Sequence, residues 1–174
     1  MSYIILVTGG TKSGKSDFAE YLAKQEKSIT YIALSKDYPD DIKWQKKVLD
    51  HKLRRPKNWK LIETENLIPL FKEDIGTLLI DSIGGFIVNL LEEDDKKWKE
   101  QLNELIRNLS SYKSKIIIVG EQTGWGLVSE YKIGNLYTER LGIILKEITK
   151  ISKENWLTIN GRAIKLDNIF FEVH

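Results

Sequence analysis

Eight residues near the N-terminus, Gly9-Gly10-Thr11-Lys12-Ser13-Gly14-Lys15-Ser16, combine glycines, lysines and hydroxyls in the spacing G-x-x-x-x-G-K-[ST]. Glycine has no Cβ, so the backbone can curl until successive N–H groups converge on one point, and such a nest of donors suits a polyanion. A helix opening at Lys15 adds the partial positive charge of its N-terminus to the same point. Lys15 would then reach the terminal phosphates of a nucleoside triphosphate, and the Ser16 hydroxyl would ligate a Mg²⁺ ion shared with them. The run reads as a P-loop, with every residue from Gly9 to Ser16 expected at the nucleotide. The bland alternative is a glycine-rich strand-to-helix turn that binds nothing.

A shared Mg²⁺ calls for a carboxylate at the end of a later buried strand. Thr77-Leu78-Leu79-Ile80-Asp81 supplies an apolar run that ends in one, so Asp81 is expected beside Ser16 at the metal. Its competing role is to cap a following helix.

A second constellation surrounds His51. Between Lys43 and Lys60 eight lysines and arginines face one acid, Asp50, in a chain whose formal net charge is only +2. Ile42, Leu49 and Leu53 suggest a helix over 40–53, which would set His51 on a face with Lys47 and near Arg54 and Arg55. Taken alone, the segment is a solvated face or a nucleic-acid patch. It also fits a sharper chemistry: neutral imidazole is a nucleophile at phosphorus, neighbouring cations oppose its protonation, and they would stabilise a departing pyrophosphate.

The elements that must position these groups follow from periodicity. Short runs rich in Ile, Val and Leu predict strands at 3–8, 29–34, 59–63, 77–81, 115–120 and 155–160, with a final partner near 162–166 across an Asn160-Gly161 turn. Longer amphipathic stretches lie between them. The clearest helix, 133–151, places Ile133, Leu136, Tyr137, Leu141, Ile144, Leu145, Ile148 and Ile151 on one stripe; another, 96–111, buries Trp98, Leu102, Leu105, Ile106 and Leu109. Phe18, Tyr21 and Leu22 supply a core face for the helix after the loop. The alternation predicts an α/β fold of P-loop NTPase type: a mostly parallel sheet, helices on both faces, and a C-terminal antiparallel strand pair.

The totals narrow the classes. At 174 residues, 41% hydrophobic and 30% charged, residues 1–174 are expected to form a single globular domain. The small net charge argues against nucleic acid as the main partner. With no cysteine, disulfides, thiolate metal sites and cysteine nucleophiles are excluded, which suits a cytoplasmic location. Ile4 to Val7 reads as a buried strand rather than a signal peptide, and Ile83 to Leu91 is too short and too interrupted to span a membrane. Glu92 to Lys99 reads as a solvated helix start.

Taken together, the motifs resemble the bifunctional adenosylcobinamide kinase/adenosylcobinamide-phosphate guanylyltransferase family of cobalamin biosynthesis. The likeness runs from about residue 4 to residue 166. It includes Leu6 to Gly10 leading into the loop, Tyr31-Ile32-Ala33, His51-Lys52 with Arg55-Pro56 and Trp59, Glu63, Asp81 with Asn89-Leu90-Leu91, Glu121 with Gly124, and Gly126-Leu127-Val128 before Glu130. The resemblance implies that His51 is the residue that becomes covalently guanylylated, and that Ala33, Leu34, Ser35, Lys52, Leu53, Arg54, Arg55, Glu63 and Asp81 join the P-loop in binding the guanine nucleotide. It implies two reactions, phosphorylation of adenosylcobinamide by ATP or GTP and transfer of GMP to the product with release of pyrophosphate. A homotrimer with sites at subunit boundaries is implied as well. Trp125, between two glycines, is a candidate for corrinoid contact or for a subunit interface. Gly120, Gly84, Ser129 and Lys146-Glu147 depart from the family pattern, which has Asn, Thr, Pro and Asn-Gln there. Two other readings stand beside this one: a small-molecule kinase without the guanylyl step, and a non-catalytic nucleotide-dependent binding module.

Overall fold

The computed structural model describes residues 2–34, 56, 58–126, 128–167 and 169. A seven-stranded sheet organises them: β1 (Tyr3–Gly9), β2 (Ile29–Leu34), β3 (Lys60–Thr64), β4 (Thr77–Asp81), β5 (Lys115–Glu121), β6 (Glu154–Ile159) and β7 (Arg162–Lys165). Spatial order is β3-β2-β4-β5-β1-β6-β7. All pairings are parallel except the last, where β6 and β7 form an antiparallel hairpin. Each expected strand is present with its ends shifted by no more than about one residue. The helix expected over 40–53 lies outside the described residues.

Central strands are apolar along their whole length because both faces are covered. In β1, Ile4 and Leu6 enter one core while Ile5 and Val7 enter the other. The first core, the larger, lies under α2 (Gly84–Val88), α3 (Asp95–Ser111) and α4 (Lys132–Ile151). The second lies under α1 (Lys15–Ala23), where Ala19 and Ala23 meet Ile117 and Val119 of the sheet. Two apolar positions do not follow the expected stripes. Tyr21 is 60% exposed, because the alanines bring α1 close to the sheet and leave Phe18 and Leu22 to flank it. Ile133, in the first turn of α4, is 56% exposed because that turn projects beyond the core.

Helix α3 begins where the charged tract suggests. The Asp94 carboxylate accepts from the Lys97 N–H at 2.8 Å, and Trp98, Leu102, Leu105 and Leu109 form its buried stripe. Among its polar neighbours, Arg140 of α4 is almost wholly buried. Its guanidinium donates to the Leu90 and Glu93 carbonyls and lies 5.0 Å from the Trp98 ring centre. That one side chain therefore ties α4 to the link between α2 and α3. No helix among the described residues is long and apolar enough to cross a membrane.

Helix α2 lies against the end of β2 at a distance only glycine permits. A Cβ on Gly85 would fall 2.0 Å from the Leu34 carbonyl oxygen and 2.8 Å from its carbon, and backbone cannot yield as a flexible side chain does. Gly85→Ala is expected to lose about 1–3 kcal/mol of stability, read as a lowered urea midpoint with an unchanged slope.

Candidate active site

The carboxyl ends of the parallel strands share one edge of the sheet, and the polar residues collect there. β1 ends at Gly9, β2 at Ala33 and Leu34, β3 at Glu63 and Thr64, β4 at Asp81, and β5 at Glu121. Parallel register sets Ala33 beside Glu63, Asp81 beside Val119, and Gly9 beside Glu121.

Between Gly9 and α1 the chain makes the curl expected of a phosphate-binding loop. Lys12 and Gly14 adopt positive φ angles of 56° and 94°. The helix starts at Lys15, with Gly14 at its cap and no side chain covering its first N–H groups, so that those donors face outward from the helix end. Lys15 Nζ donates to the Gly10 carbonyl at 3.0 Å, across the mouth of its own loop.

Ser16 and Asp81 come together from opposite ends of the sequence reading. Ser16 Oγ donates to Asp81 Oδ1 at 3.3 Å, and the Tyr31 hydroxyl donates to Oδ2 at 2.8 Å. Asp81 caps no helix: the residue at the start of α2 is Ile83, which provides no side-chain cap. Tyr31 is buried in the second core, so its ring fills space while its hydroxyl orients the carboxylate. Nothing in the periodicity marks Tyr31 as more than a core aromatic; the hint was a tyrosine in an otherwise aliphatic strand, since a buried phenol usually finds a partner.

Behind the loop stands the β6–β7 hairpin. Thr158 Oγ1 donates to the Thr8 carbonyl at 3.1 Å and lies 2.8 Å from Ser13 Oγ. A threonine has one hydroxyl proton and a carbonyl only accepts, so Ser13 must be the donor to Thr158. The Gly161 N–H donates to the Ser13 carbonyl at 2.9 Å. Ser13 therefore directs its side chain into the fold and leaves the loop's backbone to face a ligand. Gly9 cannot carry a side chain here, because its Cβ would lie 2.3 Å from Thr158 Oγ1 and 2.5 Å from Ser13 Oγ.

Two departures from the family pattern have packing reasons. A Cβ on Gly120 would lie 2.4 Å from Leu145 Cδ2, and one on Gly84 would lie 2.3 Å from the Tyr137 hydroxyl oxygen and 2.8 Å from Glu121 Oε2. Leu145 and Tyr137 of α4 occupy the room those side chains would need. Ser129 exchanges hydrogen bonds with Asn135 and accepts from the Tyr131 N–H through its hydroxyl, shaping the entry to α4. The peptide joining Asp81 to Ser82 is cis. His51, Ser35, Lys52, Leu53, Arg54 and Arg55 lie outside the described residues. Of the sequence-derived site, the structure brings together the P-loop, Ser16 and Asp81, with Ala33, Leu34 and Glu63 farther along the same edge.

The hydroxyl chain behind the loop is open to test. Thr158→Val keeps the shape but leaves the Ser13 hydroxyl without its acceptor, at a cost of about 1–3 kcal/mol. Both the urea midpoint and the affinity for a fluorescent GTP analogue should fall, because the loop loses its brace.

Comparison with known proteins agrees with this arrangement. Two solved structures share the fold alone. An ATPase from the type III secretion system of pathogenic bacteria has a TM-score of 0.56 and 12% identity, over 89% of this chain and 50% of that one. A Pyrococcus horikoshii OT3 protein, PH0250, has a TM-score of 0.54 and 8% identity, over 97% and 87%. Among curated proteins, the bifunctional adenosylcobalamin biosynthesis proteins CobU of Escherichia coli and of Salmonella typhimurium are each 27% identical, over 94% of this chain and 99% of theirs. The corresponding CobP of Pseudomonas aeruginosa is 28% identical over 92% and 95%. Residues 5–166 match the family described as cobinamide kinase / cobinamide phosphate guanyltransferase, and the chain belongs to that family.

Proposed function

We propose that this chain phosphorylates adenosylcobinamide with ATP or GTP and then transfers GMP from GTP to adenosylcobinamide phosphate through a guanylyl-histidine at His51, giving adenosylcobinamide-GDP and pyrophosphate. The observation that carries the reading is the pairing of Ser16 and Asp81 at 3.3 Å beneath a glycine-rich loop, in a chain of this family. A bare anion-binding turn would not need a carboxylate at that place.

The donor set fits Mg²⁺. No group of three His, Cys, Asp or Glu side chains that could enclose a metal occurs among the described residues, whereas one hydroxyl and one carboxylate suit an ion that keeps water and phosphate oxygens in its shell. Ser16 and Asp81 would hold it, and the bound ion would neutralise charge developing on the phosphates. Lys15, now bonded to the Gly10 carbonyl, would turn to the terminal phosphates, and the loop N–H groups would donate to phosphate oxygens.

In the guanylyl step an imidazole nitrogen of His51 bonds to the α-phosphorus of GTP while the bond to the α,β-bridging oxygen breaks and pyrophosphate leaves. The phosphate of adenosylcobinamide phosphate then attacks the same phosphorus and frees the histidine. Exposed Trp125, Val128 and Tyr131, on the link from β5 to α4, offer an apolar surface for a broad corrinoid or for a neighbouring subunit of a homotrimer.

One labelling experiment decides between this reading and a plain kinase. Protein incubated with α-labelled GTP should retain label after denaturation, and with γ-labelled GTP should not. The label should resist alkali, yield to mild acid, and be absent from His51→Ala. Active wild type that never carries label would favour the kinase alone. Asp81→Asn retains the shape without the charge, so half-maximal activity should require roughly tenfold or more Mg²⁺, an effect of the size expected for a lost charged contact; superimposable Mg²⁺ titrations would remove Asp81 from the metal.

A further inference from the structure

Next to Asp81, and outside every role so far assigned, lies a hydroxyl–carboxylate pair. Ser82 Oγ donates to Glu121 Oε1 in a hydrogen bond that joins the ends of β4 and β5. Glu121 is also the register partner of Gly9, the first residue of the phosphate loop, and the neighbouring Gln122 N–H donates to the Gly9 carbonyl at 2.9 Å. The pair thus adjoins the start of the loop through Glu121 and the Ser16–Asp81 contact through Ser82, the chain neighbour of Asp81.

Its other side is closed. Glu121 Oε2 is buried and has no hydrogen-bond partner among the described residues. Gly84 and the Tyr137 hydroxyl wall it off, since a Cβ on Gly84 would strike both. Burial first, and the Glu121 charge second, push the Tyr137 phenol well above its ordinary range, so it keeps its proton and does not act as a base beside Glu121. A carboxylate closed on one side and hydrogen-bonded to a half-buried serine on the other can exchange protons with the site through that serine.

Building on the kinase reading above, we propose that Ser82 and Glu121 form a relay that takes the proton from the acceptor alcohol during phosphoryl transfer. The acceptor oxygen bonds to the γ-phosphorus as the bond to the β,γ-bridging oxygen breaks, and its electron pair leaves with the nucleoside diphosphate. The alcohol proton passes to Ser82 Oγ while Ser82's own proton passes to Glu121 Oε1. After the products leave, Glu121 returns the proton to water. Guanylyl transfer needs no such relay, because its attacking atoms, the lone-pair nitrogen of a neutral imidazole and an anionic phosphate oxygen, carry no proton to be removed.

The test uses the full chain with adenosylcobinamide and ATP at saturating Mg²⁺, comparing wild type with Glu121→Gln, Ser82→Ala and the double variant. Each single change should lower kcat for phosphorylation about a hundredfold or more, with little change in the affinity for a fluorescent nucleotide analogue, which also reports that the loop is folded. The double variant should be no slower than the slower single, as for residues acting as a unit. Labelling of the protein by α-labelled GTP should persist in all three. Wild-type phosphorylation rates in Glu121→Gln, losses that multiply in the double variant, equal loss of the guanylyl step, or a defect cured by added Mg²⁺ would each overturn the relay while leaving the kinase reading in place. Failure of wild type to phosphorylate adenosylcobinamide would overturn both.

Discussion

Thr158 gives its single proton to the Thr8 carbonyl and must therefore take that of Ser13, and the shape of the phosphate loop depends on this short chain of hydroxyls. With Ser13 drawn inward, Gly9 has no space for a side chain and the backbone that follows must curl in the opposite direction. β6 can hold Thr158 there only because it is paired on both sides, with β1 in parallel and β7 antiparallel. Gly161, in the turn between β6 and β7, then reaches the Ser13 carbonyl, and its Cα lies 3.3 Å from where a Cβ on Gly14 would stand. A hairpin at the far end of the chain thus serves as the back wall of a loop near its start.

The same parallel arrangement explains why the polar groups meet without being buried at random. Bodies of β1, β4 and β5 are apolar and closed on both faces, so hydroxyls and carboxylates are tolerated only where the strands end. Tyr31, Asp81 and Ser16 form one hydrogen-bonded line there, and Ser82 and Glu121 form another one strand away. Lying over a dry core, such contacts are stronger than they would be in water, which favours fixed orientations for the groups that must face phosphate.

Much of this edge is legible in the sequence, for reasons that differ from element to element. Strands of a covered sheet announce themselves as Ile- and Val-rich runs, and the loop's spacing needs no fold to be read. Asp81 follows from its place after Leu78, Leu79 and Ile80. Its orientation does not, since Tyr31 lies 50 positions away and looks like one more core residue. Thr158 and the Ser82–Glu121 pair are equally invisible, because periodicity reports which face of an element is apolar and says nothing about which polar side chains two distant strands bring together. Tyr21 and Ile133 show the converse limit: an apolar residue in the right phase is buried only if something lies opposite it. Arg140 reads as a surface residue until the carbonyls of Leu90 and Glu93 and the ring of Trp98 are placed around it. The basic segment around His51 is carried by residue type and family membership alone.

A single cradle for two reactions imposes an order on them. Both phosphoryl and guanylyl transfer, as proposed, draw on the same loop N–H groups and on Lys15, so one site cannot hold the phosphoryl donor and a covalent GMP with its departing pyrophosphate together. The diphosphate left by the first reaction must vacate the loop before GTP enters for the second. In the proposed scheme the two attacks would also come from different directions. As proposed, the γ-phosphate would lie toward the ends of β4 and β5, where Asp81, Ser82 and Glu121 stand, while the α-phosphate would be met by His51. Separate approaches of this kind would allow each proposed chemistry its own proton handling, with an alcohol deprotonated on one side and a ready nucleophile presented on the other.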